Sequence, residues 1–256
     1  MSEATPTPAV VRVEGVTKRF PRGDVTALEN IELEIAPREF VSLIGPSGCG
    51  KSTLLRVIGD LIEPTAGTVR VNGKSARQAR NDGDYGIVFQ EAVLYDWRSI
   101  AKNIALPLEM LDLVELTSFA DHHPWQLSGG MQQRVAIARA LSFEPSLLLM
   151  DEPFGALDEM TRERLNLELL SIWEQTGNSV VFVTHSISEA VFLSSRVVVM
   201  SPRPGRIAGV VEIDLPHPRT VDTREAPRFF ELVTEVRELL RRRGEHLLPE
   251  EEAVLE

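Results

Sequence analysis

Phe40-Val41-Ser42-Leu43-Ile44 runs straight into Gly45-Pro46-Ser47-Gly48-Cys49-Gly50-Lys51-Ser52-Thr53, and the helical pattern of Lys51 to Ile58 follows without a break. A buried-type strand, a glycine turn and a helix, in that order, decide the fold. The spacing fits GxxxxGK[ST], the pattern of a loop that holds phosphates. Successive backbone N–H groups can curl around a polyphosphate only where glycines let the chain come close. The helix that follows turns its positive end toward the same anion. Lys51 is expected on the β- and γ-phosphates and the Ser52 hydroxyl on Mg²⁺. The whole stretch from Gly45 to Thr53 is the expected nucleotide cradle.

Working outward, strands and helices alternate. Val10 to Val16 alternates apolar and polar residues, as an antiparallel strand with one wet face does. Val69 to Val71 and Tyr85 to Phe89 are short strands, and Leu147 to Met150, Val180 to Val183 and Val197 to Met200 are buried-type strands. Ile100 to Met110 has a helical pattern disturbed by Pro107. Met131 to Phe143 is a helix with Ser128 as its natural N-cap. Met160 to Gln175 is an amphipathic helix closed by Gly177. This order predicts an α/β fold whose mainly parallel sheet is covered on both faces, with an antiparallel β subdomain at the N-terminus. Residues 91–130 interrupt the alternation and form a helical subdomain. From Pro202 to Pro218 the chain is rich in proline. Beyond it Phe229, Leu232, Val233, Val236, Leu239 and Leu240 make a helical stripe between Arg228 and Arg243. Packing on its own domain is the plain expectation for that stripe, and docking of a partner is the alternative. Arg241–Arg243 and Glu250–Glu252 are expected to be a solvated end.

The apolar run Leu147-Leu148-Leu149-Met150 stops at Asp151-Glu152-Pro153. Acids at the end of a buried strand lie at the carboxyl edge of a sheet, where α/β folds bind ligands. Asp151 is placed to hold Mg²⁺ through water, and Glu152 to polarise an attacking water as general base. Two ordinary surface acids would satisfy the same residues, but not beside a phosphate loop.

Composition narrows the classes. The chain has 256 residues, 43% of them hydrophobic, enough for one large domain or two lobes. A net charge of −11 and a pI near 5.1 argue against broad nucleic-acid binding and against resting on anionic lipid. Cys49 is the one cysteine, so no internal disulfide forms, which fits a reducing cytosol. The N-terminus lacks the charged and apolar regions of a signal peptide. No run of about 18 apolar residues exists, so a soluble chain is expected, held at a membrane only by another protein.

Leu127-Ser128-Gly129-Gly130-Met131-Gln132-Gln133-Arg134 resembles the signature motif of ATP-binding cassette (ABC) ATPases. Ser128 and the N–H groups of Gly129 and Gly130 open a helix and form a second anion site. In that family the site closes over the γ-phosphate of ATP held by a second subunit. The resemblance implies a P-loop NTPase core, ATP and Mg²⁺ as cofactors, and hydrolysis. Lys51, Glu152 and His185 are then the catalytic residues. Phe20 matches the aromatic that stacks on adenine. Gln90 matches the loop glutamine that reaches Mg²⁺ and senses the transport partner. Asp158, in Gly155-Ala156-Leu157-Asp158, matches the loop that signals across the dimer. His185 matches the switch histidine on the γ-phosphate. His122 and His123 have no such context and are given no metal role.

The resemblance covers roughly residues 10–205. An ABC ATPase domain is therefore expected over 1–205, with its helical subdomain at about 91–130 and a C-terminal extension with an amphipathic helix at 206–256. Within the class, GPSGCGKSTLLR, LSGGMQQRVAIARAL, DEPFGALD and SPRPGRI resemble the importer subunits of the nitrate, sulfonate and taurine group. That implies an ATP-sandwich dimer of two copies, transmembrane permease subunits, indirectly a solute-binding protein, and a peripheral place on the cytoplasmic face of the membrane. No nucleic acid is expected. An exporter ATPase and a non-transport ABC ATPase are the alternatives. The cargo is not readable, because such a subunit never touches it. Two departures stand out. Asp60 occupies a position where many relatives have glycine. The span from Gln90 to Ser128, 128 − 90 = 38 positions, is short for the family by about a helix. Either the lobe is reduced, or a segment is missing between Met110 and Leu111.

Overall fold

The computed structural model describes residues 9–21, 23–104 and 108–244. The lead-in with Pro6 and Pro8, Pro107, and Glu250–Glu252 lie outside them. In chain order the strands are β1 (Val11–Phe20), β2 (Val25–Ile35), β3 (Phe40–Ile44), β4 (Ala66–Val71), β5 (Lys74–Ser75), β6 (Tyr85–Val88), β7 (Leu147–Asp151), β8 (Ser179–Val183), β9 (Arg196–Met200) and β10 (Ile207–Glu212). The helices are α1 (Lys51–Ile58), α2 (Ala76–Asp82), α3 (Ile100–Ile104), α4 (Leu108–Leu113), α5 (Gly129–Leu141), α6 (Glu159–Thr176), α7 (Ile187–Leu193) and α8 (Pro227–Gly244).

Two sheets form. An antiparallel sheet has the order β2-β1-β4-β5, and a six-stranded sheet has the order β10-β9-β3-β8-β7-β6. In the second, β9, β3, β8, β7 and β6 run parallel, and β10 closes one edge antiparallel to β9. Parallel strands covered on both faces should be apolar throughout. Accordingly β3, β7 and β8 are buried at every residue. Their carboxyl ends sit side by side and point the phosphate loop, the acids after Met150 and His185 to one edge.

The expected strands and helices are present, with additions. β2 went unpredicted, although Ile31, Leu33 and Ile35 are buried and alternate with exposed Glu32 and Glu34. β10 sits inside the proline-rich tail. The helix expected over Ile100 to Met110 is two short helices, α3 and α4. One regular helix spans Met110 and Leu111, and the Leu116 N–H donates to Leu111 O at 2.8 Å. The lobe core is built from Ile100, Ile104, Leu111, Val114 and Leu116 against α5. α8 lays Phe229, Leu232 and Val236 on the main core, each buried. Burying such a side chain contributes about 1.5–3 kcal/mol, so the stripe packs on its own domain. Arg241 and Arg242 are exposed.

Candidate active site

The turn between β3 and α1 has the conformation its glycines allow. Gly48 has φ 72°, and Gly50, which caps α1, has φ 106°. A Cβ on Gly50 would lie 2.8 Å from Ala27 O, so both geometry and space require glycine there. No acidic residue occupies the first turn of α1, which leaves its positive end free for an anion. Lys51 is 7% exposed and curls back into the loop. Its Nζ donates to Gly45 O at 2.8 Å and to Pro46 O at 3.2 Å. Cys49 is buried beneath the loop, and that burial pushes its thiol pKa up.

Ser52 Oγ donates to Asp151 Oδ1 at 2.6 Å, and Arg56 Nη2 lies 3.8 Å from the other carboxylate oxygen. One step along, Glu152 has φ 47°, a left-handed conformation uncommon for a residue with a Cβ. Its N–H donates to Val183 O at 3.0 Å, and Gly155 N–H donates to its carbonyl at 3.0 Å. These bonds hold the strained turn. The turn aims the Glu152 carboxylate at His185, whose Nδ1 lies 3.2 Å from Oε2. Gln90 reaches the same corner. A Cβ on Gly155 would sit 3.4 Å from Gln90 Nε2 and 3.5 Å from Glu152 Oε2.

The structure thus brings Lys51, Ser52, Asp151, Glu152, His185 and Gln90 to one sheet edge. The signature residues behave differently. Ser128 caps α5 by accepting from Met131 N–H at 3.3 Å, as expected of an N-cap. A Cβ on Gly129 would meet Leu157 at 3.2 Å, and one on Gly130 would meet Thr161 at 3.1 Å. Among the described residues no hydrogen bond joins Ser128–Gly130 to the phosphate loop of the same chain. Asp158 caps α6 by accepting from Thr161 N–H at 3.0 Å, and those backbone bonds lower its pKa. Phe20 ends β1 half-buried, with Lys18 Nζ 5.1 Å from its ring centroid.

Three supporting residues escaped the sequence reading. Gln133, 4% exposed, donates to Gln90 O at 2.8 Å, to Phe89 O at 3.2 Å and to Pro153 O, so it ties the Gln90 loop to the acid turn. Arg203 donates to Gly48 O from Nη2 at 3.1 Å and from Nε at 3.3 Å. Gly205 packs so tightly on the loop that a Cβ would lie 2.0 Å from Cys49 O. For Arg203 and Gly205 the signal was in SPRPGRI, which carried family wording without a contact to explain it.

The family described as ABC transporter matches residues 28–155. The aliphatic sulfonates import ATP-binding protein SsuB of Bacillus cereus is 44% identical over 82% of this chain and 88% of its own. The taurine import ATP-binding protein TauB of Rhizobium johnstonii is 44% identical over 84% of this chain and 89% of its own. Among solved structures, a dimeric bacterial ABC transporter cassette superposes with a TM-score of 0.70 at 36% identity, covering 79% of this chain and 98% of that one. The same cassette is known in a post-hydrolysis state with ADP and Pi. The phosphate loop, the acid turn and the helix opened by Ser128 agree with these likenesses: the chain belongs to the ABC transporter family, as one of its ATP-hydrolysing ATP-binding subunits.

Proposed function

We propose that this chain is the ATPase subunit of an importer for a small solute of the nitrate, sulfonate or taurine kind, working through a separate membrane permease. The observation that supports it most is the pairing of Ser52 with Asp151 and of Glu152 with His185 at one edge of the sheet, below a phosphate loop. The importer assignment draws on the sulfonate and taurine import subunits among its relatives. No described helix is long and apolar enough to cross a membrane. The chain would sit peripherally on the cytoplasmic face, with a solute-binding protein joining the permease from the other side. The ATPase domain is taken as 1–205, with its helical subdomain at about 91–130, and the C-terminal extension as 206–256.

The residues fit Mg²⁺. A hydroxyl and a carboxylate supply hard oxygen donors, and no group of three or more His, Cys, Asp or Glu forms an all-protein cage among the described residues. Mg²⁺ takes its remaining ligands from phosphate and water. Ser52, Asp151 and Gln90 would hold it, and when bound it neutralises charge on the phosphates. Lys51 exchanges its two loop carbonyls for phosphate oxygens when ATP enters, with the N–H groups of Gly45–Thr53 around them. Phe20 stacks on the adenine. Glu152 takes the proton of the attacking water, and His185 sits against the γ-phosphate. The second copy supplies Ser128–Gly130, and Asp158 passes the state of one site to the other. Closure of the two copies then moves the permease, which docks near Gln90 and the helical lobe.

Reconstitution tests this. Vesicles holding the chain, co-expressed with a permease and a solute-binding protein, should accumulate one of these small solutes only when ATP is inside. ATP hydrolysis without uptake of any nitrate, sulfonate or taurine substrate would remove the importer reading and leave the ATPase in place.

A further inference from the structure

We propose that Arg219 and Arg224, both in the C-terminal segment, are positioning residues for His185 in ATP hydrolysis; this rests on the proposed role of His185. His185 lies between β8 and α7, and its neighbours Thr184 and Ser186 start a chain of contacts. Ser186 caps α7, accepting from Glu189 N–H at 3.3 Å, and its own N–H donates to Thr184 Oγ1 at 3.0 Å. Thr184 Oγ1 in turn donates to the Glu189 carboxylate. Glu189 is 5% exposed, so an acid is folded beneath the histidine turn. A buried carboxylate of this kind must be partnered.

The partner is Asn166 of α6, and through it the acid is linked to the C-terminal segment. The Asn166 amide, oriented by its neighbours, places its nitrogen 3.1 Å from Glu189 Oε1 and its oxygen 3.2 Å from Arg224 Nη2. Arg224 also donates from Nη1 to Ser188 Oγ at 3.2 Å, and its guanidinium lies 4.0 Å from the centroid of the Phe192 ring. The other end of α7 is held as firmly. Arg219 is 5% exposed and donates from Nη1 to Phe192 O and Ser194 O, both at 2.8 Å, and to Val191 O at 3.3 Å. Those carbonyls belong to the last turn, where a helix leaves acceptors unpaired and favours a cation. Two arginines from beyond residue 218 therefore fix both ends of the seven-residue helix that follows His185. A segment that only covered the core would need apolar contacts. This one spends two guanidinium groups on the element that orients the histidine.

The test uses the full chain with Arg224→Met, which keeps an unbranched side chain and removes both the donors and the guanidinium over Phe192, Arg224→Lys, and Arg228→Ala as a control. Arg228 sits in the same segment on exposed ion pairs with Asp214 and Glu231. Steady-state phosphate release, affinity for a fluorescent ATP analogue and melting temperature are measured for each. Misplacing a catalytic group by about 1 Å can lower turnover by about 100-fold. Arg224→Met should lower kcat about tenfold, with nucleotide affinity within about twofold of wild type. Arg224→Lys should recover part of the loss, since one ammonium replaces one of two contacts. Arg228→Ala should match wild type. An unchanged kcat in Arg224→Met would overturn the inference, and so would a loss no larger than the fraction unfolded at the assay temperature. A wild-type kcat that His185→Ala leaves intact would instead overturn the reading of His185 itself.

Discussion

The edge formed by β3, β7 and β8 and the helix opened by Ser128 are the two proposed phosphate sites, yet they are finished to different degrees. At the sheet edge Ser52, Glu152 and Lys51 have their partners in the same chain: Ser52 on Asp151, Glu152 on His185, Lys51 on loop carbonyls. At the signature helix Ser128 and Gly129 are exposed and serve only the start of their own helix. A site with all its partners at home can be tested in one chain. A site whose second half faces outward needs another copy.

The largest expected effect breaks the first half. Lys51→Ala removes the ammonium that neutralises phosphate and should abolish ATP binding in a fluorescence titration. Retained affinity would sink the phosphate-loop assignment. The same variant also sharpens the comparison. Mixed with a chain whose signature is spoiled by Gly130→Asp, it should regain hydrolysis that neither chain has alone, because one composite site is then intact. No recovery in the mixture would mean that the two halves do not meet.

Next in size is Glu152→Gln. It keeps the shape of the acid turn and removes the proposed general base, a group that typically contributes 10²–10⁴-fold. Turnover should fall by about that range while ATP binding persists, and the variant should run as a dimer on size exclusion with ATP. Wild-type-like phosphate release would remove Glu152 as the base.

A smaller effect is expected at the lobe. Val93, Tyr95, Trp97 and Trp125 are all exposed, and Trp97 is 73% so. Tyr95 and Trp97 pack together, as do His123 and Trp125, and His123 Nδ1 lies 3.2 Å from Asp96 O. Such aromatics are what a partner buries in an interface. Trp97→Ala should weaken association with the proposed permease by about 2 kcal/mol, or about 30-fold, in a pulldown titration. Unchanged association would move the docking surface elsewhere.

How much of this was legible follows from where the partners lie. Phe40 to Ile44, Leu147 to Met150 and Val180 to Val183 announce themselves because a strand buried on both faces is apolar at every residue. Ser128 was readable as a cap because capping is local. β10 was hidden because Gly209 interrupts Ile207-Ala208-Gly209-Val210-Val211 inside a proline-rich stretch. Gln133 lies 43 positions from Gln90, and Arg203 lies 155 from Gly48. No spacing rule reaches across such gaps. Glu152 was found by its chemistry, but its left-handed backbone was not, since glutamate seldom adopts it.

Asp60 makes the smallest prediction and sets two like residues apart. It has φ 47°, the same as Glu152. It sits just past α1, away from the phosphate contacts. A left-handed residue with a Cβ costs about 1–2 kcal/mol, a cost that glycine does not carry. Here the carboxylate, 12% exposed, lies 3.0 Å from Arg80 Nε and 3.8 Å from Arg77 Nε, both arginine side chains being exposed. Such pairs contribute about 0.2–1 kcal/mol each. Asp60→Gly relieves the strain, loses those pairs and adds the unfolded-state entropy of glycine, about 0.5–1 kcal/mol. The three nearly cancel, so stability should change by less than about 1 kcal/mol, a melting shift of under about 4 °C. Hydrolysis should not change. A larger fall in melting temperature would show that the arginine pairs hold α1 against α2, and a fall in kcat would place Asp60 in the site. The same backbone strain at Glu152 aims the proposed general base at His185, whereas at Asp60 it only turns the chain.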